Sequence, residues 1–117
     1  MRNLKFRAWN PKNRVMEEVS EISFYKSGYK INDDIDSVYD EWILMQFTGA
    51  YDYNGKEIYV GDILDFGDDG AYPVVWLDNE FGFGFADGLL LSCADFCYSK
   101  IIGNVYQNPE IDYVKSY

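Results

Sequence analysis

The side chains able to do chemistry are mostly carboxylates. Asp62, Asp65, Asp68 and Asp69 lie close together in the chain, the residue type that carboxylate or metal-assisted catalysis would need. The chain holds 0 His, which removes the commonest acid–base group and with it Ser-His and Cys-His nucleophilic pairs. Asp52-x-Asn54-Gly55 has the opening letters of a calcium loop, but the sixth-position glycine and the closing glutamate are out of register. Asp68-Asp69-Gly70 reads as an exposed turn. Cys93 and Cys97 are too few for a metal site without imidazole, and four residues of separation suits a disulfide only in special local geometry. They read as two half-buried thiols. The expectation is therefore no catalytic residue, no metal and no cofactor: not an enzyme.

A different chemistry is offered by Lys5-x-Arg7-x-Trp9. On a strand these three share one face, two cations beside a ring on which a base or a partner side chain can stack. Net charge is −10, from 20 acidic and 10 basic residues, but the two signs are segregated. Residues 1–16 hold Arg2, Lys5, Arg7, Lys12 and Arg14 and no acid, whereas Glu57 to Ser99 holds nine acids and neither Lys nor Arg. Such a body repels nucleic acid at long range, while the basic segment attracts an acidic surface. Lys5, Phe6, Arg7 and Trp9 are the candidate interaction residues.

The elements that must position these groups are short strands. Leu4, Phe6 and Ala8 alternate with Lys5, Arg7 and Trp9, the period of a half-buried strand, and a turn at 10–13 returns it as a hairpin at Arg14-Val15-Met16. Ile35, Val38, Tyr39 and Trp42 fit a helix, although an acidic loop explains the same letters. A strand over 42–47 is expected to stop at Thr48-Gly49. Asn54-Gly55 forms a tight turn at positive φ, because Asn-Gly tolerates that conformation best. Glu57–Val60 resumes a strand, and Gly61 serves as a scaffold glycine before the strand 63–66. Leu44, Ile58 and Ile63 are expected to share one core. Further strands are expected at 73–77 and 100–106, with a one-turn helix at Asn108-Pro109-Glu110. In Phe81-Gly82-Phe83-Gly84-Phe85 the alternation puts three rings on one face, and the glycines call for strong curvature or a close backbone neighbour. At 117 residues this is one domain, a small antiparallel β sandwich or barrel. No signal peptide and no membrane span is legible, so a cytoplasmic protein without membrane contact is expected.

Three blocks carry a resemblance: KFRAWNPKNRVM, LMQFTGAYDYNGKEIYVGDIL and IIGNVYQNPE. Their order and wording resemble the YopX family, small proteins of bacteriophages and prophages. The chain departs from the family's common pattern at Ala50 and Val60. The resemblance implies a mainly β fold with an SH3-like barrel and a tendency to self-associate; it supplies no catalytic residue. The layout expected is a single 1–117 domain, with an N-terminal hairpin arm and variable loop over 1–41 and a barrel core over 42–117. The function expected is that of a phage accessory protein in the bacterial host, non-enzymatic, acting by protein–protein contact and self-assembly into a homo-oligomer, with a host or phage protein as the other candidate partner. The alternatives are a nucleic-acid-binding barrel and an acidic DNA mimic that inhibits a host factor.

Overall fold

A computed structural model describes residues 4–26, 28–32, 42–78, 80, 82–85 and 89–113, with only the backbone of Cys93. Among the described residues eleven short strands, a 3-10 turn and one α-helical turn follow in order: β1 Phe6–Asn10, β2 Val15–Val19, β3 Ile22–Tyr25, β4 Gly28–Ile31, β5 Ile43–Tyr51, β6 Glu57–Tyr59, β7 Asp62–Asp65, the 3-10 turn Gly67–Asp69, β8 Ala71–Pro73, β9 Val75–Leu77, β10 Gly82–Gly84, α1 Cys93–Phe96 and β11 Lys100–Asn104. They pair as β2-β1-β5-β6, β11-β7-β8, β10-β9 and β3-β4, every pair antiparallel. The sheets curl into a half-barrel. The expected N-terminal hairpin is present as β1 and β2, and it is built into the main sheet, because β1 also pairs with β5 through Phe6↔Gln46 to Trp9↔Ile43.

The apolar run before Thr48 does not alternate because β5 is covered on both faces, as a doubly buried strand must be. Met45 and Phe47 pack with Trp9 and Tyr59 on one side, joined by Ile43. Leu44 leans on Ala8, Ile31 and Trp42 on the other. A third cluster gathers Ala50, Ile58, Leu64, Val74, Phe83 and Phe96. Leu44 and Ile58 thus belong to different clusters rather than one shared core, while Ile63 is fully buried.

Strands β6, β7 and β11 end one or two residues earlier than the sequence expectation, and four further differences have a visible reason. Thr48-Gly49 does not end β5: the register shifts there, and Thr48 Oγ1 bridges the bulge by donating to Ile58 O at 2.8 Å and accepting from Ala50 N at 3.2 Å. The expected strand 73–77 is split at Val74, whose N–H donates to Asp62 O and whose carbonyl accepts from Gly61 N, both at 2.9 Å. That leaves Pro73 on the edge strand β8, where a missing N–H costs nothing. Asn108-Pro109-Glu110 is a turn rather than a helix, because Asn108 Oδ1 accepts the Asn104 N–H at 3.1 Å instead of capping a following turn. Finally, Cys93–Phe96 is helical, introduced by Ser92 and Asp95. The Asp95 carboxylate accepts from Ser92 N at 2.8 Å and Ser92 Oγ at 2.9 Å, and the Asp95 N–H donates back to Ser92 Oγ at 3.2 Å.

The expected turn at Asn54-Gly55 is present, with Gly55 at φ 80° between the paired strands β5 and β6. Gly84 supplies the close backbone neighbour that the alternating glycines implied: a Cβ there would lie 2.0 Å from Leu89 O. Phe83 and Phe85 are buried, whereas Phe81, and the tentative helix residues Ile35, Val38 and Tyr39, lie outside the described residues. Cys97 is a free thiol, exposed rather than half-buried. Among the described residues no helix is long and apolar enough to cross a membrane.

Candidate functional site

Lys5, Arg7 and Trp9 share one side of the first strand and pass from exposed through half-buried to buried. Trp9 is 3% exposed, in the cluster with Met45, Phe47 and Tyr59. Arg7 lies with its guanidinium 4.4 Å from the Tyr59 ring and pairs with Asp62. Lys5 pairs with Glu57 at 2.6 Å, which raises the lysine's pKa through that hydrogen bond. Arg14, at the end of the β1–β2 turn, sits 5.5 Å from the Trp9 ring. Phe6, on the opposite side of β1, is half-buried. These side chains hold the sheet to β6 and β7, and most of their charge is already met within the chain.

Asp62 is the centre of that arrangement. It is 1% exposed. One oxygen accepts from Arg7 and from Asn104 Nδ2 at 3.3 Å, and the other from the Tyr59 N–H at 2.8 Å. Burial pushes its carboxyl up, against the Arg7 guanidinium and the donated hydrogen bonds that pull it down. A carboxylate whose oxygens are both engaged by the fold ties elements together. Gly61 makes this possible: its φ is +94°, and a Cβ would stand 3.1 Å from Met45 Sδ and 3.2 Å from Asn104 Nδ2.

Asp52 does the same for the preceding turn. It is 4% exposed; Oδ1 accepts from Asn54 N and Lys56 N, both at 2.9 Å, and Oδ2 from Ile101 N at 3.0 Å. Burial pushes its carboxyl up, but the N–H groups of Ile101, Lys56 and Asn54 outweigh burial and hold it below the usual carboxylate range. The Asp-x-Asn-Gly letters thus encode a turn closed by its own aspartate. Among the described residues no group of three or more acidic or thiol side chains could hold a metal.

A hollow of about 450 Å³ opens between the β7–β8 corner, the end of β10 and α1. Its floor is three rings: Tyr72 stacks on Phe85 at 4.6 Å, and Phe66 meets Phe85 edge-on at 5.6 Å. Leu89 and Leu91 form an apolar wall. Asp69, Asp95 and Tyr98 stand at the rim, Tyr98 being 77% exposed. The rings are fixed by backbone. Phe66 N bonds Gly70 O at 2.9 Å, Phe85 N bonds Leu89 O at 3.0 Å, and Tyr72 OH donates to Asp69 O at 2.8 Å. The Ser92 backbone and side-chain hydrogen bonds pull the Asp95 carboxyl down, so it is ionised at neutral pH.

The residue pattern did not single out this hollow. Its two legible signals were the acid-only span from 57 to 99 and the Phe-Gly alternation; its members are irregularly spaced and meet only through strand pairing.

The YopX family, described as YopX protein, matches residues 5–111. This chain belongs to the YopX family. A solved structure similar to it is the crystal structure of protein EF1440 from Enterococcus faecalis, 25% identical, with a TM-score of 0.69, covering 94% of this chain and 98% of that one. No curated protein matches. The YopX chain and its structural neighbour therefore share a fold along nearly their whole lengths, and neither description carries an activity.

Proposed function

We propose that this YopX chain is a non-enzymatic protein-interaction module, a phage or prophage accessory protein whose docking face is the ring-floored hollow. The observation that carries the reading is the combination of fixed aromatic rings, an apolar wall and an exposed tyrosine in one concave surface. Interfaces are enriched in aromatic residues, and a pocket of this volume lies in the range, about 300–1,000 Å³, that ligands occupy. The phage setting rests on the family resemblance. Self-assembly fits the same face better than it fits the N-terminal strand, since Lys5 and Arg7 already meet carboxylates of their own chain. That internal pairing also weakens the nucleic-acid alternative, which needed both cations free.

The test is site-specific photo-crosslinking in the bacterial host, with the reactive residue replacing exposed Tyr98 or, as a control, exposed Lys12. Protein adducts at position 98, whether with a second copy or another protein, and few at position 12, are expected. Nucleic-acid adducts, or equal labelling at both positions, overturn the reading.

A further inference from the structure

Resting on that protein-docking reading, we infer that the hollow takes the cationic end of a lysine or arginine side chain from the partner. The floor offers ring surface from Phe66 and Tyr72, both held by contact with the buried Phe85 ring, and a cation placed over such faces is attracted by their quadrupole. Two carboxylates, Asp69 and Asp95, stand at the mouth, and among the described residues no cation lines it. The chain holds no Lys or Arg from Glu57 to Ser99, so the segments that build the hollow contain no cation of their own to neutralise those carboxylates.

The alternatives fare worse on the same physics. A purely apolar occupant would strip water from Asp69 and Asp95 without bringing a countercharge, a costly desolvation. An acidic segment or a phosphate backbone would meet two carboxylates at the entrance. A cationic side chain satisfies both parts: its aliphatic stem covers the Leu89 and Leu91 wall while its charged head reaches the rings and the rim.

The experiment is a nitrogen-15 NMR titration of the full chain with the Nα-acetyl amides of lysine, arginine and norleucine, at low salt. Norleucine keeps the lysine stem and lacks the charge. Saturating shifts are expected at the amides of Phe66–Tyr72 and Leu89–Tyr98, with lysine or arginine bound about tenfold more tightly than norleucine. The Asp69→Asn chain should bring the cations close to the norleucine affinity while its own spectrum stays folded. Norleucine binding as tightly as lysine, shifts confined to other regions, or no shift at millimolar probe overturns the cationic occupant. These failures leave protein crosslinks at position 98 standing, whereas nucleic-acid adducts there overturn the docking reading whatever the amides do.

Discussion

Replacing Asp52 by Asn changes one oxygen to an NH2 group and removes one charge, and the structure fixes what that does. The amide oxygen can take the place of Oδ1 and keep the N–H groups of Asn54 and Lys56. The NH2 then faces the Ile101 N–H, so a donor meets a donor at the joint between the turn and β11. Losing one charge-assisted hydrogen bond and weakening two others costs about 2–4 kcal/mol, since such bonds contribute about 1.5–3 kcal/mol each and an unpaired buried donor adds its own penalty. The cost depends on pH with a definite sign. The folded-state pKa of Asp52 is lowered from 3.8, so its contribution is complete above that value and is lost as the pH falls through it towards the folded-state value. The gap between wild type and Asp52→Asn, measured by urea unfolding with tryptophan fluorescence, should be widest at pH 7 and close on acidification below about pH 4. A gap below about 0.5 kcal/mol at pH 7 would place the variant among ordinary surface changes and refute the reasoning. So would a gap that does not change with pH.

Arg7→Met leaves the buried Asp62 carboxylate without its cation and should cost about 3–5 kcal/mol, whereas Lys5→Ala breaks an exposed, solvent-screened pair and should change stability little; equal losses in thermal unfolding would contradict the inward-facing assignment of Arg7. Gly61→Ala combines positive φ with contacts to Met45 and Asn104, so its melting temperature should fall clearly more than that of Gly55→Ala, where positive φ acts alone and costs about 1–2 kcal/mol. Phe85→Leu removes the ring that both Phe66 and Tyr72 touch; if the chain stays folded by its amide spectrum, lysine amide affinity should drop towards that of norleucine, and unchanged discrimination would remove the rings from the recognition.

Local periodicity was legible and direction was not. The alternation around Lys5, Arg7 and Trp9 correctly groups those side chains on one face. Period two does not say which face is inside, and β1, paired on both edges and packed on both faces, has no freely solvated side. Asn54-Gly55 announced its turn because only a few residue types accept positive φ. The helical turn at 93–96 was not read from the sequence, although Ser92-x-x-Asp95 is a capping pattern that could have signalled it. The split at Val74 could not be read, since it depends on carbonyl and N–H partners at residues 61 and 62 that the local sequence does not reveal. The hollow was out of reach for the same reason: Phe66, Tyr72 and Phe85 touch only after three separate strand pairs have formed.

The segment 44–64, which carries the most specific part of the family resemblance, is devoted to scaffold. Asp52 closes a turn, Thr48 bridges a bulge, and Gly61 and Asp62 knit β6, β7 and β11 to the N-terminal strand. Every residue lining the hollow falls instead between 66 and 98, outside the three blocks that resemble the family. The span 66–98 holds β8, β9, β10 and α1 with the segments that join them, and surface positions on such joining segments can change while the sheet stays folded. It follows that sharing the frame does not carry the partner with it. EF1440 shares this chain's fold over nearly its whole length, yet the lysine-over-norleucine preference expected here should track the presence of three rings and two rim carboxylates at the corresponding corner, and nothing in the frame. Grafting residues 66–98 of this chain onto that relative, then repeating the amide titration, tests the separation directly. Transfer of the preference with the segment is expected; a folded graft that does not discriminate between the amides would mean that the frame itself shapes the site.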